Sequence, residues 1–346
     1  MTDSEAEVLF HQSGASGVIT MNRPKALNAL TLNMVRLILP QLQAWASDDT
    51  IEHVIIEGAG DKGFCAGGDI RALHDWGQAG AREATLFYRE EYVLNRLIKT
   101  FPKPYIALMD GITMGGGVGM SVHGAYRVAT QATVFAMPET GIGLLPDVGG
   151  TYFLPRLPGQ LGAYMVLMGA RLKAADTYYA GIATHYTPAE DLTALKQALS
   201  QGGKVAEILD GFHQAPGDSP LAHLQADIDR LFAADGVSDI IDALAADESD
   251  WAGQQMAMIE TKSPTSSAVA LRQMRDGAQA DFDEAMRIEM RAVTRLMSLP
   301  DFYEGVRAII IEKDNAPQWS PARHGDVTAA QIEGIFASLG DDELAF

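Results

Sequence analysis

The chain has 346 residues and carries 45 Asp and Glu against 26 Lys and Arg, a formal net charge of −19. That balance argues against nucleic acid and against an anionic membrane surface as partners, because both need clustered cations and repel an acidic chain at long range. Hydrophobic residues at 47% and charged residues at 21% are ordinary globular usage, so the chain can bury a core in one large domain or two smaller ones.

In chain order, Met1 to Phe10 is acidic and has neither the charged start and apolar core of a signal peptide nor the Arg-rich character of a transit peptide. The expectation is a cytoplasmic protein. Apolar or alternating runs at Ser16 to Met21, His53 to Glu57, Tyr105 to Met109, Arg127 to Ala129 and Thr133 to Ala136 predict short strands. Helical patterns at Leu32 to Trp45, Arg82 to Thr100 and Gly116 to Tyr126 lie between them, and that alternation predicts an α/β fold. Around Gly202 to Pro220 the pattern loosens into Gly, Pro, Asp and Ser, which places a boundary near residue 205. Leu221 to Ala234, Ser238 to Ala246, Trp251 to Thr261, Ser266 to Arg275 and Phe282 to Met297 then show helical spacing. Ser263, Pro264 and Thr265 suit a helix entry. No run of ~18 uncharged apolar residues occurs, so no membrane span is expected.

Three segments are candidates for chemistry. Gly63-Phe64-Cys65-Ala66-Gly67-Gly68-Asp69-Ile70 and Met114-Gly115-Gly116-Gly117-Val118-Gly119 each follow a predicted strand, and each leaves backbone amides uncovered by side chains. One amide from each loop would make a two-donor cradle for a carbonyl oxygen, the arrangement acyl chemistry uses; tight turns are the plainer alternative. The third segment, Met137 to Gly150, sets Glu139 and Asp147 among apolar residues and glycines. An ionised carboxylate is expensive there without a partner or a task, although turn acids are also common.

Other constellations fail. The glycine run is not a dinucleotide fingerprint, and Phe64 and Cys65 stand where a phosphate loop needs Lys and Ser or Thr. The histidines are too widely spaced for an H-x-x-x-H metal pair, so His123 and His185 read as packed or capping residues. Cys65, the only cysteine, excludes an internal disulfide, and a small buried residue is the expected role over an activated thiol.

Taken together, Phe64 to Asp69, Gly111 to Gly119 and Pro138-Glu139 to Gly150, with the opening Ile19 to Pro24 and Ala26 to Leu30, resemble the enoyl-CoA hydratase/isomerase (crotonase) superfamily over essentially the whole chain. Leu144 to Gly150, Phe153 to Leu157, Arg89 to Tyr92 and Asp301 to Ala308 with Pro317 to Trp319 are similar to the branch that hydrolyses a 3-hydroxyacyl-CoA thioester. The resemblance implies a crotonase-like spiral of ββα turns over residues 1–205, carrying the oxyanion hole and the catalytic acids. Residues 206–346 would be a helical C-terminal region serving as a lid or a subunit contact, with a homo-oligomer as one outcome.

It further implies that the amides of Gly68 and Gly116 form the oxyanion hole, that Glu139 is nucleophile or base, and that Asp147 is a second acid. Glu91 matches a substrate-contacting position, although its place in a charged helix suits a solvated face equally. Ala26, Leu27, Ala66, Asp69 and Ile70 would line the acyl-CoA. No metal or redox cofactor is implied, since CoA arrives with the substrate. A hydratase of this superfamily carries its first glutamate where this chain has Gly119, which favours hydrolysis over hydration. Enoyl-CoA hydration or isomerisation and non-catalytic acyl-CoA binding remain the alternatives.

Overall fold

The computed structural model of the protein describes residues 6–346. Among them lie ten strands: β1 (Val8–Ser13), β2 (Ser16–Met21), β3 (His53–Gly58), β4 (Gly63–Cys65), β5 (Tyr105–Met109), β6 (Ile112–Met114), β7 (Tyr126–Ala129), β8 (Val134–Ala136), β9 (Leu172–Lys173) and β10 (His185–Tyr186). One sheet has the order β1-β2-β3-β5-β7-β10 and the other the order β4-β6-β8-β9. Neighbours are parallel except at β1 on β2 and β9 on β8. The chain therefore alternates between the sheets, β3 then β4, β5 then β6, β7 then β8, and each pass adds one strand to each. This is the expected spiral of ββα turns.

The central strands are continuous apolar runs because both faces of the larger sheet are covered. Ile19, Met21, Val54, Ile56, Ala107, Met109 and Ala129 share one cluster with Met34, Val35, Ile38 and Leu42 of the helix Leu32–Ala46. Thr31 starts that helix by accepting the Met34 amide at 3.0 Å. On the opposite face Val18, Ile55, Ile106, Leu108 and Val128 meet Leu195 and Leu199 of the helix Leu192–Ser200 and Leu209 of the helix Val205–Phe212. Adjacent residues of one strand thus serve different cores.

Three local differences from the sequence reading have physical causes. β1 falls where only an acidic terminus was expected; it is an edge strand in which only Val8 is buried, so it lacks a hydrophobic alternation. The helix expected from Gly116 stops at Gly119 after a single turn, its glycines favouring a short, tightly packed segment over a long helix. The helix Val205–Phe212 lies inside the stretch that loosened in composition, because Val205 and Leu209 give it one buried edge.

The chain groups into two compact units. The first takes the residues through Asp69, Glu90–Ala136 and Arg171–Ala222, and both sheets belong to it. The second takes Ile70–Arg89, Met137–Ala170 and His223–Phe346, and it is helical. The sequence reading divides the chain once near residue 205, whereas the structure groups Met137–Ala170 with the C-terminal helices. The reason is packing inside the second unit: the helix Pro264–Gln279 lies on the helices Gly150–Phe153 and Leu161–Met168, and the helix Phe282–Leu296 on Gly150–Phe153. Ser263 caps the first of these C-terminal helices by accepting the Ser266 amide at 3.1 Å, and Pro264 occupies its first turn, as the sequence predicts. Among the described residues no helix is long and apolar enough to cross a membrane.

Candidate active site

In the first unit, the loop after β4 is pinned to the Arg23–Leu30 segment. Ala66 donates its amide to Leu27 at 3.0 Å, Leu30 to the Gly67 carbonyl at 2.8 Å, and Asp69 to Leu30 at 2.9 Å. Arg23 ties the same two segments through its 3.0 Å ion pair with Asp69. Leu27 and Asn28 have φ of +50° and +57°, and Asn28 spends its side chain on the Ala59 and Gly63 carbonyls. The structure thus brings Ala26, Leu27, Ala66 and Asp69 onto adjoining loops. Ile70 opens the helix Ile70–Gln78 of the second unit.

Against this loop lies the glycine run after β6. A Cβ on Gly116 would stand 3.3 Å from the Gly68 amide nitrogen and 2.8 Å from Glu91 Oε1. The two amides assigned to the oxyanion hole and the Glu91 carboxyl are therefore neighbours. Gly67 and Gly115 reach this close approach with φ of +117° and +46°, conformations that favour glycine. Gly117 packs directly on the Cys65 carbonyl.

Glu91 sits in the helix Glu83–Lys99 and is only 1% exposed. The solvated face belongs instead to its neighbour Glu90, which pairs with Arg36 through two 2.7 Å contacts. Cys65 is fully buried, and burial pushes its thiol up to about 12, so it stays protonated as a small packed residue. Gly119 ends the one-turn helix, buried and without a carboxylate to offer.

In the second unit, Glu139 opens the short 3-10 turn Glu139–Ile142 and is 7% exposed. Its Oε2 has no hydrogen-bond partner among the described residues. Burial, and then the charge of Asp147, hold its carboxyl well above the ordinary carboxylate range. Asp147 is also buried, and the chain after it turns sharply through Val148 at φ +50° and Gly149 at +88°.

Three C-terminal contacts hold this acid-bearing segment. The Ser263 amide donates to the Thr140 carbonyl at 3.0 Å, the Gln273 side chain donates to the Pro146 carbonyl, and Glu289 accepts the Gly149 and Thr151 amides at 2.8 Å each. Gly143 and Gly305 allow the segment to lie against the helix Pro300–Val306 with almost no space between. Buried Asp301 secures that helix by accepting Ser263 Oγ at 2.6 Å and the Ser320 amide at 2.8 Å.

The sequence reading missed Glu289 and Gln273. Glu289 is fully buried, and burial followed by the Asp147 charge pushes its carboxyl up to about 8. A signal existed: Phe282, Ala285, Met286, Glu289, Val293 and Leu296 form one helical stripe, and an acid on an apolar stripe needs a reason. Among the described residues no group of three or more His, Cys, Asp or Glu is placed to hold a metal ion.

A family model for enoyl-CoA hydratase/isomerase matches residues 16–336. The chain is 50% identical to the 3-hydroxyisobutyryl-CoA hydrolase, mitochondrial, of Xenopus tropicalis over 99% of this chain and 92% of that protein. It is 47% identical to the protein of the same name from Homo sapiens, over 100% and 92%. Two solved structures are similar throughout. A carnitinyl-CoA dehydratase from Mycobacterium thermoresistibile superposes with a TM-score of 0.94 at 42% identity, covering 99% of each chain. An enoyl-CoA hydratase from Rhodobacter sphaeroides 2.4.1 gives 0.92 at 38%, covering 99% and 100%. The curated relatives correct the cytoplasmic expectation, since their names place them in mitochondria. Compartment addresses are carried by segments separate from the packed core, so composition and core patterning hold no such information.

Proposed function

The chain belongs to the enoyl-CoA hydratase/isomerase family, and from that membership we propose that it hydrolyses the thioester of 3-hydroxyisobutyryl-CoA to 3-hydroxyisobutyrate and CoA, a step of valine breakdown. The observation that carries this reading is the buried pair of Glu139 and Asp147, with Glu139 Oε2 unpartnered and its basicity raised. The names of relatives about half identical over nearly the full chain supply the substrate.

The Gly68 and Gly116 amides receive the thioester oxygen as it becomes an oxyanion; one such donor is worth about 3 kcal/mol in a transition state. Glu139 attacks the carbonyl carbon, the carbon–sulfur bond breaks, and CoA leaves as the thiolate. Water then cleaves the resulting mixed anhydride to the 3-hydroxyisobutyrate and Glu139 carboxylates, and of its two protons one neutralises the CoA thiolate and the other goes to solvent. In the competing route Glu139 takes a proton from water, which attacks the thioester directly. Raised basicity serves both. Asp147 binds the substrate's 3-hydroxyl or orients the hydrolytic water, and Glu91 contacts the acyl group beside Gly116. CoA belongs to the substrate, and no further cofactor enters the proposal.

The likeness to a carnitinyl-CoA dehydratase and an enoyl-CoA hydratase favours a second reading, hydration of an enoyl-CoA. That chemistry would leave Glu139 to activate water and protonate the α-carbon with no carboxylate at Gly119. Thiol release from 3-hydroxyisobutyryl-CoA, measured beside loss of the conjugated absorbance of crotonyl-CoA, separates the two. Thiol release with a constant enoyl signal is expected, and the reverse result would replace hydrolysis by hydration. Single turnover in oxygen-18 water then tests the routes: label in the Glu139 carboxyl marks the anhydride, and its absence counts against that route.

A further inference from the structure

Asp147 is followed by a backbone that does not hold its shape unaided. Val148 is β-branched and has φ +50°, a region such residues avoid, and Gly149 continues at +88°. The strain persists only where the surroundings fix it. The two amides that leave this turn, those of Gly149 and Thr151, both end on Glu289, one on each carboxylate oxygen at 2.8 Å. Gln273 grips the residue on the other side of Asp147 through the Pro146 carbonyl. Asp147 is thus bracketed by side chains from the helices Pro264–Gln279 and Phe282–Leu296. All of these residues lie in one unit.

We propose that Glu289 is the positioning residue for Asp147: by accepting both amides it sets the turn that aims the Asp147 carboxylate. An apolar residue at 289 would continue the buried stripe of its helix at no desolvation cost. The carboxyl group there has two oxygens matched to two donors, which an amide, with its single acceptor oxygen, does not reproduce. Glu289 does not touch substrate in this account; it acts through Asp147. The inference rests on Asp147 serving hydrolysis as described above.

A double-mutant cycle tests it. Glu289→Gln, Asp147→Asn and the double variant are compared for thiol release from 3-hydroxyisobutyryl-CoA and from isobutyryl-CoA, with Tm measured for each. The Gln variant turns its amide NH2, a donor, toward a backbone N–H and loosens the turn. A misplacement on the order of 1 Å costs about 100-fold in rate, so kcat/KM falls by about 10-fold to 100-fold with the same pattern over the two substrates as Asp147→Asn. In the Asp147→Asn background the second substitution then adds less than about twofold.

Glu289→Asp, which keeps both oxygens on a shorter arm, regains part of the rate and supplies a second variant where Gln folds poorly. Full additivity in the double variant, or a loss of Tm with unchanged kcat/KM, overturns the inference and leaves the Asp147 assignment standing. Full activity of Asp147→Asn on both substrates overturns both.

Discussion

Glu91 Oε1 lies 2.8 Å from the point at which a side chain on Gly116 would begin, and the Gly68 amide lies 3.3 Å from it. A methyl group at residue 116 would therefore enter the space between the two proposed oxyanion donors. The atom it presses hardest is the end of a glutamate, which can swing aside. Gly116→Ala is expected to fold with nearly the same Tm and to lose about 10²–10³-fold in kcat, the usual effect of removing one such donor. Thiol release within threefold of the parent would remove Gly116 from the oxyanion hole.

The next residue gives the opposite expectation. A Cβ on Gly117 would meet the Cys65 carbonyl and stand 2.9 Å from the Cys65 Cβ, both of them backbone-fixed in the core. Gly117→Ala is expected to destabilise the chain by about 1–3 kcal/mol, as overpacking of a close contact does. Denaturant unfolding measures it, and an unchanged midpoint would mean that β4 and the glycine run separate easily. The pair of variants distinguishes a glycine kept for chemistry from one kept for space.

Cys65 neighbours this cradle but is expected to take no part in turnover. Its thiol is fully buried and pushed up to about 12, so the thiolate that nucleophilic chemistry needs is scarce at neutral pH. Cys65→Ala should keep the parent kcat while losing about 1 kcal/mol of stability to the small cavity. A thiol-selective disulfide reagent should modify the native protein only after denaturant is added. Rapid modification accompanied by inactivation would return Cys65 to the list of nucleophile candidates.

The strands of the larger sheet and the long helices were legible because each follows one hydrophobic period. His53 to Glu57 and Tyr105 to Met109 read as short strands and are so. That two loops of small residues after two strands belong together was legible in the pattern, and parallel pairing of β4 with β6 places them side by side; Gly68 and Gly116 within them were named only by the family resemblance. Glu91 was legible only through the family resemblance. In a run of Arg89, Glu90 and Glu91 no local rule says which acid turns inward, and the helix phase decides it. Glu289 was hidden for another reason. It lies 140 residues from Gly149, and only the packed structure shows that the helix which carries it closes on the Asp147 turn. Its one local mark, an acid on an apolar stripe, tells that it is buried without telling what it holds.

Glu139 links stability to activity with opposite signs. Its carboxyl is held well above the ordinary range by burial and by Asp147. Below about pH 4, both the folded and the unfolded chain carry the proton, so the group contributes no pH-dependent difference. As pH rises toward the folded value, the unfolded chain releases its proton first, and the folded state becomes progressively less stable; above the folded value the cost is complete. Glu139→Gln removes that cost. The variant should melt above the parent at pH 8, by about 2–4 °C for each kcal/mol relieved, and the difference should vanish near pH 4. Over the same interval the parent's kcat/KM should climb as the carboxylate forms, while the variant stays inactive. A parent profile flat from pH 4 to pH 8, or a variant that melts lower than the parent at pH 8, would mean that Glu139 is held ionised by contacts of its own and that the Asp147 charge does not reach it.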